Sequence, residues 1–300
     1  MPKGKGISAV VISFHGREFI PDCLNTLKAD LAACEHEIIV VDNHSTDGTV
    51  EYIETNHPDV TLIRNDRNRG FAQAVNQGIE AARHELLWLL NQDIRIRPGC
   101  LAALVACNDR LKSPGVIGPK LVGFDGRLQR QCRRFPRYLY LLFELTGLAY
   151  LFPRSGLFNG WKMGEFDHAA SRPVDQPMGA AMLVARKCID RVGALDESFG
   201  IFFNDVDFCR RLQQAGYTNY YCAQAVIEHF AGGSVSRQKP KMVWLSHLGL
   251  FRYLQKWEHL SHRPAWLRLA RLPLLYLTGL VLLLAAVPRS IYHYYVRSVI

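Results

Sequence analysis

Four short stretches of this 300-residue chain concentrate residue types able to do chemistry. The first is Asn91-Gln92-Asp93, which ends the uncharged run Leu86 to Leu90 abruptly. A run that short, apolar on both sides, suits a strand covered by helices on both faces. Open α/β sheets hold ligands in the crevice beyond the carboxyl ends of their strands, so Asp93 is placed to meet a substrate or a metal; the alternative is a turn ahead of Pro98-Gly99. The second stretch, Asp42-Asn43-His44-Ser45-Thr46-Asp47-Gly48, follows the apolar run Ile38 to Val41. Its acceptors could form an Asx-turn and helix cap alone. They could equally contact a nucleotide, with Asp42 accepting from a base N–H and Asp47 binding a ribose hydroxyl or capping the helix. The third is Asn204-Asp205-Val206-Asp207, just ahead of a helix expected over 208–215 and closed by Gly216. One of its aspartates is expected to cap that helix. The fourth is His229 before Phe230-Ala-Gly-Gly-Ser-Val-Ser-Arg237.

The elements that must position these residues follow from the pattern between them. Residues 8–14, 37–41 and 60–64 are β-branched, apolar runs, each followed by a helical stretch at 19–33, 49–56 and 72–82. With 86–90 they give the alternation of a parallel sheet covered by helices. The turn Asn65 to Phe71 carries Gly70, which permits close backbone approach, and Arg67 and Arg69 beside a helix N-terminus. That is a place to hold an anionic phosphate, or an ordinary turn with solvated arginines. Further strands are expected at 116–122, 178–186 and 220–228.

An apolar fraction of 49% is ample for a globular core. Eight cysteines without C-x-x-C spacing, and an N-terminus lacking an apolar signal core, suggest a reduced, cytosolic chain. The net charge of +9 is concentrated beyond residue 236, where ten Lys/Arg face one acid, Glu258, and leave 26 bases against 26 acids in the remainder. Those bases are interleaved with long apolar runs, which favours an anionic membrane surface over nucleic acid. Residues 272–287 carry no charge, but sixteen residues rise only about 24 Å as a helix, short of a hydrocarbon core of roughly 30 Å. A monotopic or re-entrant attachment is expected ahead of a short transmembrane helix or a core helix. Arg130, Arg133, Arg134 and Arg137 precede the apolar stretch Tyr138 to Phe152, read as a membrane-facing flap or lipid-acceptor surface in preference to a buried helix.

The stretches Val40-Val-Asp-Asn-His-Ser-Thr-Asp-Gly, Asn68-Arg-Gly-Phe-Ala with Asn76, and Leu89-Leu-Asn-Gln-Asp together resemble the family 2 inverting glycosyltransferases of GT-A fold, especially their rhamnosyltransferase-like branch. The resemblance covers roughly residues 7–237. It implies a mixed, mainly parallel sheet with helices on both faces, a donor half over about 1–97 and an acceptor half over about 98–237 with a basic and apolar insertion at about 130–155. A basic, apolar, membrane-associated helical tail over 238–300 would follow. It implies that Ser13, Phe14, Asp42, Asn43, Ser45, Asp47, Arg69, Gly70, Asn76, Asn91 and Gln92 bind a nucleotide diphosphate sugar. Asp93 and His229 would hold a divalent cation, Mg²⁺ or Mn²⁺, on the diphosphate. Asn91 stands where the first acid of the family's Asp-x-Asp element would be, yet Mg²⁺ needs only one or two protein carboxylates. Phe202-Phe-Asn-Asp-Val-Asp resembles the Glu-Asp-x-Asp segment with Asn204 replacing Glu, which makes Asp205 the expected general base. Asp207, Gly232, Gly233, Ser234 and Arg237 would line the acceptor or close over the diphosphate.

The expected activity is transfer of a sugar, rhamnose by resemblance, to a glycan or lipid-linked acceptor at the cytoplasmic face of the membrane. A nucleotidyltransferase would need a Gly-rich pyrophosphate loop near the first strand, which the sequence lacks. A degenerate, non-catalytic nucleotide-sugar-binding module is the competing reading, because Asn91 and Asn204 both replace acids.

Overall fold

The computed structural model describes residues 6–230, 239–260 and 265–295. Strand β1 (Ile7–Ser13) is buried at all seven positions, as a strand covered on both faces must be. It is followed by α1 (Ile20–Leu31), β2 (His36–Asp42), α2 (Thr49–Asn56), β3 (Thr61–Arg64), α3 (Phe71–Ala81) and β4 (Leu86–Asn91). These are the units the hydrophobic pattern predicts, to within about two residues at most ends. Then come β5 (Ile94–Ile96), α4 (Cys100–Arg110), β6 (Pro114–Val122), α5 (Tyr138–Leu145), α6 (Leu148–Leu151), β7 (Arg172–Pro173), β8 (Ala181–Ala185), α7 (Arg186–Val192), α8 (Asn204–Gln214) and β9 (Thr218–His229). Two long helices complete the described chain, α9 (Lys239–His259) and α10 (Ala265–Tyr295).

The strands form one sheet in the order β3-β2-β1-β4-β8-β6-β9-β5, with β7 on β9. Strands β1, β2, β3, β4, β6 and β9 run one way, and β5, β7 and β8 run against them. The sheet is therefore mixed and largely parallel. The register sets Ser13 beside Asp42 and Ile12 beside Asn91, so the carboxyl ends of β1, β2 and β4 finish level along one edge. Antiparallel β8 enters at that edge, its approach tied to β4 by the Asn91 N–H donating to the Ala180 carbonyl at 2.9 Å.

Three expectations are corrected. The helix expected over 208–215 starts at Asn204, so Asp205 and Asp207 lie in its first turn rather than ahead of it. Helices α9 and α10 are not separate from the core: Leu250, Tyr253, Leu254 and Trp257 of α9, and Leu275 and Leu282 of α10, belong to the same buried cluster as the sheet. Among the described residues no helix is long and apolar enough to cross a membrane, so the short transmembrane segment is not found. Helix α5 is divided in the same manner as α10, with Tyr140 and Leu141 buried and Leu139 and Leu142 exposed. Two of the arginines before it are structural, Arg130 donating to the Gly164 carbonyl at 3.2 Å and Arg134 to that of Gly156 at 2.9 Å. They hold the loop after α6.

Candidate active site

The edge where β1, β2 and β4 end is built by loops stitched to one another. The backbone N–H groups of His15, Gly16 and Arg17 donate to Ser45 Oγ at 2.8 Å, Thr49 Oγ1 at 3.1 Å and Asp47 Oδ2 at 3.0 Å. Asp47 also receives the Thr49 N–H at the start of α2. Burial raises the Asp47 pKa, but the hydrogen bonds from Thr49 and Arg17 prevail and hold it below the usual carboxylate value. The N-cap position of α2 is Gly48, and Asp47 stands just before it. Asn43 ties β2 to the next loop, accepting from the Arg69 N–H at 2.9 Å and donating to Asn68 Oδ1 at 3.0 Å and the Gly70 carbonyl at 3.2 Å. The Arg69 side chain pairs with Asp66 at 3.1 Å. Gly70 is required by its backbone, φ 91°, and a Cβ there would meet no protein atom within 4 Å among the described residues.

Gln92 closes the gap between β1 and β4. Its amide donates to the Phe14 carbonyl at 2.9 Å, and its oxygen accepts from the Phe14 N–H at 3.0 Å and Ser13 Oγ at 2.8 Å. Ser13, Phe14 and Gln92 thus support one another. Asn76 is used more completely: it donates to the Leu195 carbonyl and Glu197 Oε1, both at 2.9 Å, and accepts the Leu195 N–H at 3.0 Å. It pins residues 195–197 to α3. Among the described residues, two buried oxygens at this edge have no hydrogen-bond partner, Asp42 Oδ1 and Asn91 Oδ1, although buried polar atoms are nearly always paired.

Asp205 reaches the same edge from α8. Its Oδ2 accepts from the Gly179 N–H at 3.0 Å and Gln176 Nε2 at 2.8 Å, and its Oδ1 from the Val206 N–H at 2.9 Å. Gly179 adjoins Ala180, which is bonded to Asn91, so the carboxylate stands two residues of β8 approach away from the end of β4. A Cβ on Gly179 would lie 3.0 Å from Asp205 Cβ and Oδ2, so only glycine leaves the carboxylate undisturbed. Burial raises the Asp205 pKa, and the hydrogen bonds from Gly179, Val206 and Gln176 oppose that shift only in part. A carboxylate raised in this way is a stronger proton acceptor. Immediately before α8, Phe203 holds the left-handed conformation with φ 70°, a strain of order 1–3 kcal/mol for a bulky residue. Asn204, standing where an acid was expected, donates to the Gly200 carbonyl at 3.1 Å and accepts from the Asp205 N–H at 2.7 Å.

Asp207 is placed away from the edge. It is 0% exposed, and its oxygens engage Arg211 Nε at 2.9 Å, Trp257 Nε1 at 3.1 Å and Lys256 Nζ at 2.8 Å. It joins α8 to α9 and cannot reach an acceptor or a diphosphate. Gly232, Gly233, Ser234 and Arg237 lie outside the described residues.

Asp93 and His229 do meet. Antiparallel pairing of β5 with β9 sets Ile94 against His229, and the Phe230 N–H donates to the Asp93 carbonyl at 2.9 Å. His229 Nε2 then lies 3.7 Å from Asp93 Oδ1. Burial holds His229 below its ordinary pKa despite the attraction of Asp93. The other ring nitrogen, Nδ1, is 2.9 Å from Gln129 Oε1. The gap between Nε2 and the carboxylate is less than two metal–ligand bonds of about 2.0–2.2 Å laid end to end, so one ion can touch both. Among the described residues no three His, Cys, Asp or Glu side chains form a metal cage. The pair therefore fits a cation that takes its remaining ligands from phosphate oxygens and water, as Mg²⁺ commonly does. Nothing in the sequence singles out Gln129, Gln176 or Gly179, which lie far from the motifs they serve.

Comparison with known proteins identifies the family and the fold. The family model described as Glycosyl transferase family 2 matches residues 8–166. The N-acetylglucosaminyl-diphospho-decaprenol L-rhamnosyltransferase of Mycobacterium tuberculosis is 27% identical over 229 residues, covering 72% of this chain and 74% of its own. Among solved structures, the mannosyltransferase PcManGT of Pyrobaculum calidifontis, in complex with GDP-Man and Mn²⁺, superposes with a TM-score of 0.59 at 18% identity, covering 98% of this chain and 75% of that one. The 1–349 fragment of S. aureus TarS gives a TM-score of 0.52 at 17% identity over 81% of this chain. This chain spans 64% of that fragment's length.

Proposed function

The chain belongs to glycosyl transferase family 2, and from that premise we propose that it moves a sugar, with inversion, from a nucleotide diphosphate donor to a lipid-linked acceptor, Asp205 acting as general base. The observation that carries this reading is the Asp205 carboxylate, raised in pKa by burial and held by Gln176, Gly179 and Val206 beside the edge where β2 ends at Asp42 and β4 at Asn91. The acceptor hydroxyl oxygen attacks the anomeric carbon, its proton passes to Asp205, and the bond from that carbon to the diphosphate oxygen breaks. The nucleoside diphosphate leaves with the bonding pair. Holding hydroxyl and anomeric carbon in line removes much of the entropic barrier. A divalent cation held by Asp93 and His229 would neutralise charge developing on the diphosphate. Asp42 Oδ1 is assigned to a donor N–H of the base, and Asn91 Oδ1 to a donor hydroxyl.

Rhamnose as the sugar and a polyprenyl diphosphate sugar as the acceptor are supported by the name of the mycobacterial relative, and Mn²⁺ as the cation by the bound ion of the mannosyltransferase. The exposed apolar residues of α5, α6 and α10 would bring the enzyme to the membrane surface where such an acceptor resides.

Asp205→Asn tests the assignment. Transfer should fall by about 10²–10⁴-fold while donor binding, screened across nucleotide diphosphate sugars with and without Mn²⁺, persists. Turnover retained in this variant removes Asp205 as the base.

A further inference from the structure

His229 can serve a cation only through a bare Nε2, and the hydrogen bonds around it show how that state is enforced. Gln129 lies within reach of both ends of the histidine: one of its amide atoms is 2.7 Å from the His229 carbonyl oxygen, the other 2.9 Å from Nδ1. A carbonyl can only accept, so the atom facing it must be the Gln129 NH₂ group. The atom facing Nδ1 is then the amide oxygen, which also can only accept. Nδ1 must therefore carry the ring proton. With the ring proton on Nδ1, the other nitrogen, Nε2, is the one left with a lone pair, and it lies 3.7 Å from Asp93 Oδ1. The reverse orientation of the amide would set two carbonyl oxygens against each other at 2.7 Å.

Gln129 is itself held in place. It follows a turn closed by the Gly123 N–H donating to the Arg127 carbonyl at 2.7 Å, and its own N–H donates to the Leu121 carbonyl at 3.0 Å. A residue 100 positions away in sequence thus reaches β9 from the end of β6 with its side chain pre-aimed.

We propose that Gln129 is a positioning residue that fixes the ring tautomer and orientation of His229 and so sets the cation affinity of the Asp93–His229 pair. The proposal rests on the cation reading given above and deepens it. Partners of this kind around metal-binding histidines are worth 10–100-fold in affinity when removed.

The tautomer is read first, in ¹⁵N-labelled protein without metal, from ring ¹⁵N–¹H correlations, with His229→Gln identifying the resonance. The proton should be on Nδ1 in the wild type; a proton on Nε2 overturns the proposal without any variant being needed. Gln129→Leu and Gln129→Met remove the acceptor at similar volume. Each should let the ring proton move to Nε2. Each should also weaken Mn²⁺ binding, measured by electron paramagnetic resonance with a nucleoside diphosphate present, by about 10–100-fold. If His229→Ala lowers Mn²⁺ affinity while both Gln129 variants leave it unchanged, the ligand role of His229 stands and Gln129 is overturned. If His229→Ala leaves Mn²⁺ affinity intact, the ligand role fails and this proposal fails with it.

Discussion

Asp205 illustrates how a single carboxylate is tuned by its neighbours. Burial lifts its pKa, and each hydrogen bond to the ionised form lowers it again. Gln176 supplies one of those bonds through its side chain alone, at 2.8 Å, so it can be removed without touching the backbone. Gln176→Ala removes a contact that favours the charged form, so the Asp205 pKa should rise further. The acid limb of a kcat/KM profile should then move to higher pH, with kcat at alkaline pH little changed. A limb that stays in place or moves down would mean that another group controls it. The sequence made Asp205 recognisable because the motif around it is contiguous. It could not reveal Gln176 or Gln129, since glutamines distant from any motif acquire a role only when β8 and β6 bring them to the site.

At the level of elements, the loops at the sheet edge spend most of their polar groups on one another. Several side chains that resemblance assigns to the nucleotide sugar hold the frame: Asn43 fastens β2 to the loop before α3, Gln92 bridges β1 and β4, and Asn76 fastens residues 195–197 to α3. Asn76→Ala leaves the buried Leu195 N–H and carbonyl without their partner. It should lower the free energy of unfolding in urea by about 1–3 kcal/mol and leave donor affinity nearly unchanged. Weakened donor binding with undiminished stability would restore the nucleotide contact. The first four strands and three helices were legible because their apolar runs alternate cleanly between periods of two and 3.6. Helix α4 was passed over although Cys100, Leu101, Leu104, Val105 and Cys107 make a buried face, because Pro98-Gly99 was read only as a turn and not as the helix start it also is. The first turn of α8 was missed because two aspartates look like caps, whereas the left-handed residue preceding the helix is Phe203, which no propensity would select.

For the molecule as a whole, the long C-terminal helices form the surface most distinct from the nucleotide side. Leu277, Leu280 and Leu284 are 58%, 55% and 61% exposed and recur at helical spacing along one face of α10, while Leu275 and Leu282 are buried on another. Exposed leucines contribute little to folding, so changing all three to serine should leave thermal unfolding essentially unaltered. It should reduce co-sedimentation with anionic lipid vesicles by at least about tenfold, the equivalent of 1.4 kcal/mol. Unaltered sedimentation would move the attachment to the exposed residues of α5 and α6, Leu139, Leu142, Tyr150 and Leu151. Hydropathy made the exposed apolar face of this region legible. It did not show its inward face, because packing partners contributed by α8 are invisible in a local pattern.

The contact between Asp207 and Lys256 decides where this enzyme can be cut. A break at residue 238 would strip Lys256 and Trp257 from a carboxylate with no access to water, leaving Arg211 as its cation; losing one partner of a buried pair costs up to about 3–5 kcal/mol. A break between α9 and α10 leaves that network whole. The seam of the molecule therefore lies inside its apparent tail. A graft that exchanges the C-terminal helices between related transferases should splice after His259, or carry the Asp207 carboxylate along with the lysine that answers it.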